Sequence, residues 1–240
     1  MIEAYYVAAF WTPRQETLDE CTSRTYSYMS YLAKLDYKLT RWFDVGKTKK
    51  QFDLKREVKV VPNFIREFLL KGQNHNDKGE VIERLGFSLS MWDGIDQEEG
   101  TALRINCGSY SLSNRCILNL PSKGPVAERM IDKSLLISVM ENTITSWEPD
   151  WAFVQSDKYR STIRVPRHGG PYIGWMLYLS KQRGAVPPLP PPTRVEPVRN
   201  LGSLIILTEE RFTADNPAHV ELAAKVQDIL EKAGLLGPLR

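Results

Sequence analysis

The sequence predicts an α+β protein in which antiparallel or mixed sheet segments pack against several long helices. Three observations carry this. Residues 4–11, Ala-Tyr-Tyr-Val-Ala-Ala-Phe-Trp, are apolar on both alternating faces, the pattern of a strand covered on two sides. Leu18, Cys21, Thr25, Tyr28, Leu32, Leu35, Leu39 and Trp42 recur every three or four residues, which places them on one buried stripe of a long helix. Leu85, Phe87, Leu89 and Met91 alternate with Gly86, Ser88, Ser90 and Trp92; after Asp93-Gly94 the alternation resumes with Leu103, Ile105 and Cys107 against Ala102, Arg104 and Asn106, an antiparallel hairpin.

Each element follows from local signals. Thr12-Pro13-Arg14-Gln15 offers a cap residue, a proline at the first helical position and a glutamine at the third, so the long helix is expected to begin there and to end at Gly46. Residues 62–71 read as a shorter helix and 72–79 as a polar loop. Residues 115–120 supply a third antiparallel strand. Gly124-Pro125 opens a second long helix to about Thr145, and Trp147-Glu148-Pro149-Asp150-Trp151 turns the chain into a strand over 151–155. Further strands are expected at 172–179 and 203–208. Between them Pro187-Pro188-Leu189-Pro190-Pro191-Pro192 has too few backbone donors for a ladder and reads as a stiff spacer of roughly 19 Å at about 3.1 Å per residue. Asn216-Pro217 caps a last helix, with Val220, Ala223, Val226, Leu230 and Ala233 as its packing stripe and Gly234 beyond it. Helices and strand groups do not alternate as βαβ units, hence α+β. The chain reads as one domain over 1–240, with a division into lobes 1–122 and 123–240 left open by the break at 121–124.

Composition narrows the function. At 42% hydrophobic and 10% aromatic residues, the 240-residue chain holds a substantial core. No apolar run reaches the roughly 18 residues of a membrane span, and Met1-Ile2-Glu3-Ala4-Tyr5-Tyr6 lacks the basic segment of a secretory signal, so a cytoplasmic protein without membrane contact is expected. Cys21, Cys107 and Cys116 are odd in number and unrelated in spacing, which suits reduced thiols in core or strand positions. The net charge of +3 arises from 32 basic and 29 acidic residues, a mixed surface that gives direct nucleic-acid binding no global support. Charge clusters locally: Lys47, Lys49, Lys50, Lys55, Arg56 and Lys59 in one segment, Asp93, Asp96, Glu98 and Glu99 in the hairpin turn.

Catalytic patterns are incomplete. Gly46-Lys47-Thr48 resembles the end of a phosphate loop, yet Arg41 stands where that pattern needs its first glycine. His168-Gly169-Gly170 resembles an oxyanion loop, with no Gly-x-Ser-x-Gly elbow to go with it. His75, His168 and His219 have no carboxylate or cysteine at ligand spacing, and His219 reads as a surface residue. Asp150, Asp157 and Lys158 have the flavour of a restriction-type nuclease, but Lys158 adjoins Asp157, and on a strand the two would face opposite ways. No enzyme activity, catalytic residue, cofactor or metal is therefore expected.

Several stretches, taken in order, resemble one bacterial family. They are Tyr6 and Trp11 in the first strand; Gly86-Phe87-Ser88-Leu89-Ser90-Met91-Trp92-Asp93-Gly94; Cys107-Gly108; Leu118-Asn119-Leu120-Pro121; Trp147-Glu148-Pro149-Asp150-Trp151-Ala152; Gly174-Trp175-Met176-Leu177-Tyr178-Leu179-Ser180; and Thr208-Glu209-Glu210-Arg211-Phe212-Thr213-Ala214-Asp215-Asn216-Pro217. The family is immunity protein 52, found beside toxins of polymorphic and type VI secretion systems. The resemblance implies an inhibitor that binds and neutralises a cognate toxin, thought in this family to be a nuclease of restriction-endonuclease fold encoded next door. Trp11, Trp151 and Trp175 read as core residues. The first choice for a contact surface is the acidic hairpin, Asp93, Asp96, Glu98 and Glu99, with Trp92 at its base as anchor. Two other readings stay open: a nucleic-acid-binding or nuclease protein using segments 47–59 and 158–168, the latter with Lys158, Arg160, Arg164, Arg167 and His168; and a non-inhibitory adaptor. Nothing in the sequence sets homo-oligomer formation.

Overall fold

The doubly apolar opening segment is the axis of the fold. It forms β1 (Tyr5–Trp11), bonded on one side to β6 (Asn114–Asn119) and on the other to β7 (Trp151–Ser156). The computed structural model describes residues 3–46, 48–95, 97–162 and 170–238. Among them the chain also forms β2 (Trp42–Asp44), β3 (Glu57–Val58), β4 (Phe87–Trp92), β5 (Ala102–Cys107), β8 (Met176–Ser180), β9 (Arg194–Val198) and β10 (Gly202–Ile206). All join one ten-stranded sheet in the order β3-β2-β4-β5-β6-β1-β7-β8-β10-β9. Every neighbouring pair is antiparallel, so the fold is α+β with an antiparallel sheet. The break at 121–124 falls between β6 and β7, the two strands that flank β1. The sheet's outermost strands are the two-residue β3 and β9, which carries Pro197.

Register sorts the side chains. Val7 pairs with Leu118 and Val154, so Tyr5, Val7, Ala9 and Trp11 share one face of the sheet and Tyr6, Ala8 and Phe10 the other. Helices α1 (Leu18–Leu35), α3 (Pro62–Lys71) and α5 (Lys133–Trp147) lie against the first face. There Trp147 is fully buried, stacked on Trp11 at 5.3 Å and meeting Tyr28 of α1 edge-on at 6.0 Å. Asn142 of α5 ties that helix to α1 by donating to the Tyr28 carbonyl at 3.0 Å. Trp151 and Trp175 are buried as well, in line with their reading as core. Among the described residues the remaining α-helices are α2 (Lys49–Asp53), α4 (Gly124–Met130), α6 (Asp157–Thr162) and α7 (Pro217–Lys232).

Several boundaries differ from the sequence expectation, each for a physical reason. Helix α1 begins at Leu18 rather than at Pro13. Thr17 and Glu20 form a complete capping box, with Thr17 Oγ1 accepting from the Glu20 N–H at 3.2 Å and Glu20 Oε2 accepting from the Thr17 N–H at 2.7 Å. It ends at Leu35 because Asp36 is extended, and Leu39 and Trp42, though in phase with the stripe, belong to a 3-10 turn and to β2. The second long helix is two. Asp132 interrupts it by accepting from the N–H groups of Ser134 and Leu135 at 2.9 and 3.0 Å, capping α5. The proline run is not a straight spacer throughout: Thr193 N–H donates to the Pro190 carbonyl at 3.1 Å, closing a turn before β9. The last helix matches, with Asn216 accepting from the Ala218 N–H at 3.0 Å ahead of Pro217.

All three cysteines are free and buried. Burial pushes the Cys116 thiol up to about 12, and a hydrogen bond with Cys21 together with burial holds Cys107 well above the usual thiol range, so both stay protonated. Among the described residues no helix is long and apolar enough to cross a membrane.

Candidate functional site

The helices α1, α3 and α5 back one side of the sheet, and the polar half of the strand alternation emerges on the other. Across β4, β5 and β6 that face presents Ser88 and Ser90, then Arg104 and Asn106, then Arg115, Ile117 and Asn119. Arg104 and Asn119 are exposed and the others half-buried. Two depressions of about 290 and 600 Å³ share Val45 and Ser90 and form one groove over this face. Arg160 of α6 stands at the β1 end, and Arg56 and Lys71 stand at the β2 end.

Local bonding fixes these groups. Arg160 Nη1 donates to Tyr6 Oη at 3.1 Å, Tyr6 Oη donates to Gln155 Oε1 at 3.1 Å, and Gln155 Nε2 donates to the Ile173 carbonyl at 2.9 Å. Burial raises the Tyr6 pKa against the pull of Arg160, which keeps the phenol protonated and able to donate onward. Arg115 Nε donates to Asn106 Oδ1 of the neighbouring strand at 2.9 Å. Ser88 Oγ donates to the Gly72 carbonyl at 2.6 Å, joining the groove floor to the end of α3. Gly72 must be glycine for this approach, since a Cβ there would lie 1.7 Å from the Ser88 carbonyl oxygen. Arg56 and Lys71 lie 5.1 and 5.3 Å over the Phe68 ring.

The acidic hairpin is only partly on the surface. Trp92 is buried and stacks on Phe52 at 4.4 Å, with Lys55 Nζ 5.3 Å over its ring. The Asp93 side chain is 4% exposed and bonds to Lys38 Nζ at 2.8 Å, while accepting from the Ile95 and Thr101 N–H groups at 3.0 and 2.9 Å. Both residues thus serve the interior. Glu98 and Glu99 are exposed, Glu98 with its carboxylate 3.7 Å from Lys123 Nζ, and Asp96 lies outside the described residues. The sequence reading puts the acidic turn first and names Arg56 and Arg160 in two separate basic segments, without joining them to Arg104 and Arg115. The groove's signal was present in the hairpin alternation, where Arg104 and Asn106 take the polar positions between Leu103, Ile105 and Cys107.

The nuclease-like triplet does not assemble. Asp150 precedes β7 and Asp157 follows it, so a strand of this rise separates them by roughly 23 Å. Asp150 Oδ2 instead accepts from the Thr12 N–H at 2.5 Å, and Lys158 pairs with Asp215. Among the described residues no group of three or more His, Cys, Asp or Glu is placed to hold a metal ion. Lys47, Arg164, Arg167 and His168 fall outside the described residues. His219 corrects its reading as a surface residue: it is buried and stacks on Phe212 at 5.3 Å. Its Nδ1 accepts from the Thr213 N–H at 3.1 Å, so Nε2 carries the proton and donates to Glu210 Oε1 at 2.9 Å, fixing the 208–217 connection.

Fold and site together define an α+β protein built as a helix-backed antiparallel sheet with a charged open face. The family model described as immunity protein 52 matches residues 3–239, and the chain belongs to that family. Among solved structures it is similar to one described as Pseudomonas aeruginosa T6SS protein PA0821, with a TM-score of 0.55 and 10% sequence identity over 95% of this chain and 72% of that one. At that identity the likeness is one of fold. No curated protein matches the chain.

Proposed function

We propose that this chain acts in the cytoplasm as a stoichiometric inhibitor, binding a cognate toxin and keeping its substrate out. The observation that supports this above all is the match of an immunity-protein family along nearly the whole chain. The finer reading is that the toxin is a nuclease of restriction-endonuclease fold, encoded next door and delivered by a type VI or related secretion system; the shared fold with a T6SS protein is consistent with it. Inhibition of this kind needs complementary surface and no cofactor, with at least about 1,200 Å² buried in total. Glu98 and Glu99, exposed on the hairpin, are one contact that suits the phosphate-binding cations of a nuclease.

Co-expression with the adjacent gene tests this. Cells carrying both genes should grow where the neighbour alone kills, the two purified proteins should elute as one complex, and the neighbour's cleavage of plasmid DNA should stop at one equivalent of this chain. A harmless neighbour that forms no complex, or DNA cleavage by this chain itself, overturns the reading. A neutralised toxin that leaves nucleic acid intact removes the nuclease part alone.

A further inference from the structure

The geometry points to the open sheet groove as a docking site for an acidic segment of a partner protein. This rests on the inhibitor reading above and says which surface meets the partner and with what chemistry. Arg56, Lys71, Arg104, Arg115 and Arg160 converge on the groove and its margins. None of the five forms an ion pair among the described residues. Elsewhere most of the described arginines are neutralised, among them Arg24 with Glu16 and Glu148, Arg129 with Asp36, and Arg211 with Glu128.

Among the described residues that line the groove, only Asp44 and Asp157 oppose its cations. Asp44 Oδ1 is engaged by the Gly46 N–H at 3.0 Å, and Asp157 lies at the Arg160 end, where it acts on Arg160 and on the Tyr6 phenol. The face is therefore positive in a protein whose net charge is only +3. Four strand spacings from β2 to β1 make it about 19 Å wide, room for a helix of about 10–12 Å or an extended loop. Leu54, 70% exposed on the rim, supplies an apolar contact beside the charges. The arginines are held by neutral partners, Asn106 for Arg115 and Tyr6 for Arg160, so their remaining donors are oriented and carry full charge. Forks so fixed match carboxylates. The acidic hairpin carries the opposite sign, and its Asp93 is already paired with Lys38.

Nucleic acid is the competing anion, and the test separates the two. The full chain, labelled with nitrogen-15, is titrated with a polyglutamate peptide and, separately, with a DNA duplex of equal charge. The peptide should shift the amides of Arg104, Arg115 and Asn119, and the double substitution Arg104→Glu with Lys71→Glu, both exposed sites, should abolish the shifts while the variant keeps the dispersed amide spectrum of the folded chain. No shift at these amides, or tighter binding of the duplex than of the peptide, overturns the proposal. With the neighbouring toxin, the same double variant should associate at least about tenfold more slowly and lose most of its salt dependence. Unchanged rate and salt slope reject the groove while leaving inhibition intact; a wild-type chain that fails to bind the toxin at all rejects the inhibitor reading, and the peptide titration still judges the groove.

Discussion

Replacing Lys38 by methionine isolates the charge pair that roots the acidic hairpin. Lys38 Nζ lies 2.8 Å from Asp93 Oδ2, and the two side chains are 7% and 4% exposed. At an effective dielectric of about 20, the attraction at that distance is about 6 kcal/mol, largely offset by the cost of desolvating both ions. Lys38→Met leaves the Asp93 carboxylate buried without its counter-charge, so the expected loss is about 3–5 kcal/mol. For a chain of this size that is a fall in melting temperature of roughly 6–20 °C. Asp93→Ala should cost more, because it also strands the Ile95 and Thr101 N–H groups that Asp93 accepts. Lys38→Met combined with Asp93→Asn removes both charges and keeps an acceptor, and should recover part of the loss. Urea unfolding measures the energies, and amide exchange at Ile95 and Thr101 reports the hairpin directly. A Lys38→Met variant within about 0.5 kcal/mol of wild type, or a double variant no better than the single, would refute the argument.

Two further outcomes follow from the same structure. Burial pushes the Asp36 carboxyl upward, but the paired bonds from Arg129 at 2.6 and 3.1 Å and the Lys38 N–H more than reverse this, so its folded pKa lies below its unfolded value. Its stabilising effect is complete above about pH 4 and is lost as pH falls through the lower folded value, so the melting-temperature gap between wild type and Arg129→Met should narrow in acid; a gap of constant width rejects the linkage. Gly86 has φ +65°, and a Cβ there would meet the Cys107 carbonyl oxygen at 2.3 Å. Gly86→Ala should therefore cost at least about 2 kcal/mol in chemical denaturation, and a neutral effect refutes the strain.

What the sequence disclosed depended on the range of each interaction. Strand β1, the hairpin of β4 and β5, and the capped start of α7 rest on neighbours within a few residues, and their patterns were readable. Helix α1 shows how a local signal misleads: Thr17-x-x-Glu20 is as plain in the sequence as Pro13, and only the fold decides between them. Leu39 and Trp42 continue the helical stripe by coincidence, each buried in another element. Strands β2, β3 and β9 are short and lack a pattern of their own, because pairing with the sheet defines them. The candidate surface was least legible. Whether Asp93 faces solvent is settled by Lys38, far away in the chain, and the groove arises from residues of β5, β6, α3 and α6 that only the sheet brings together.

The margins of the sheet have a consequence for how binding can change over time. A two-residue strand closes one border, and at the other a proline withholds an N–H from the ladder, so neither border makes a good template for an incoming backbone. A ligand must then be gripped by side chains. Backbone grip is indifferent to sequence, whereas side-chain grip can be rewritten one residue at a time at exposed positions, leaving the scaffold untouched while the lock is recut to follow a changing key.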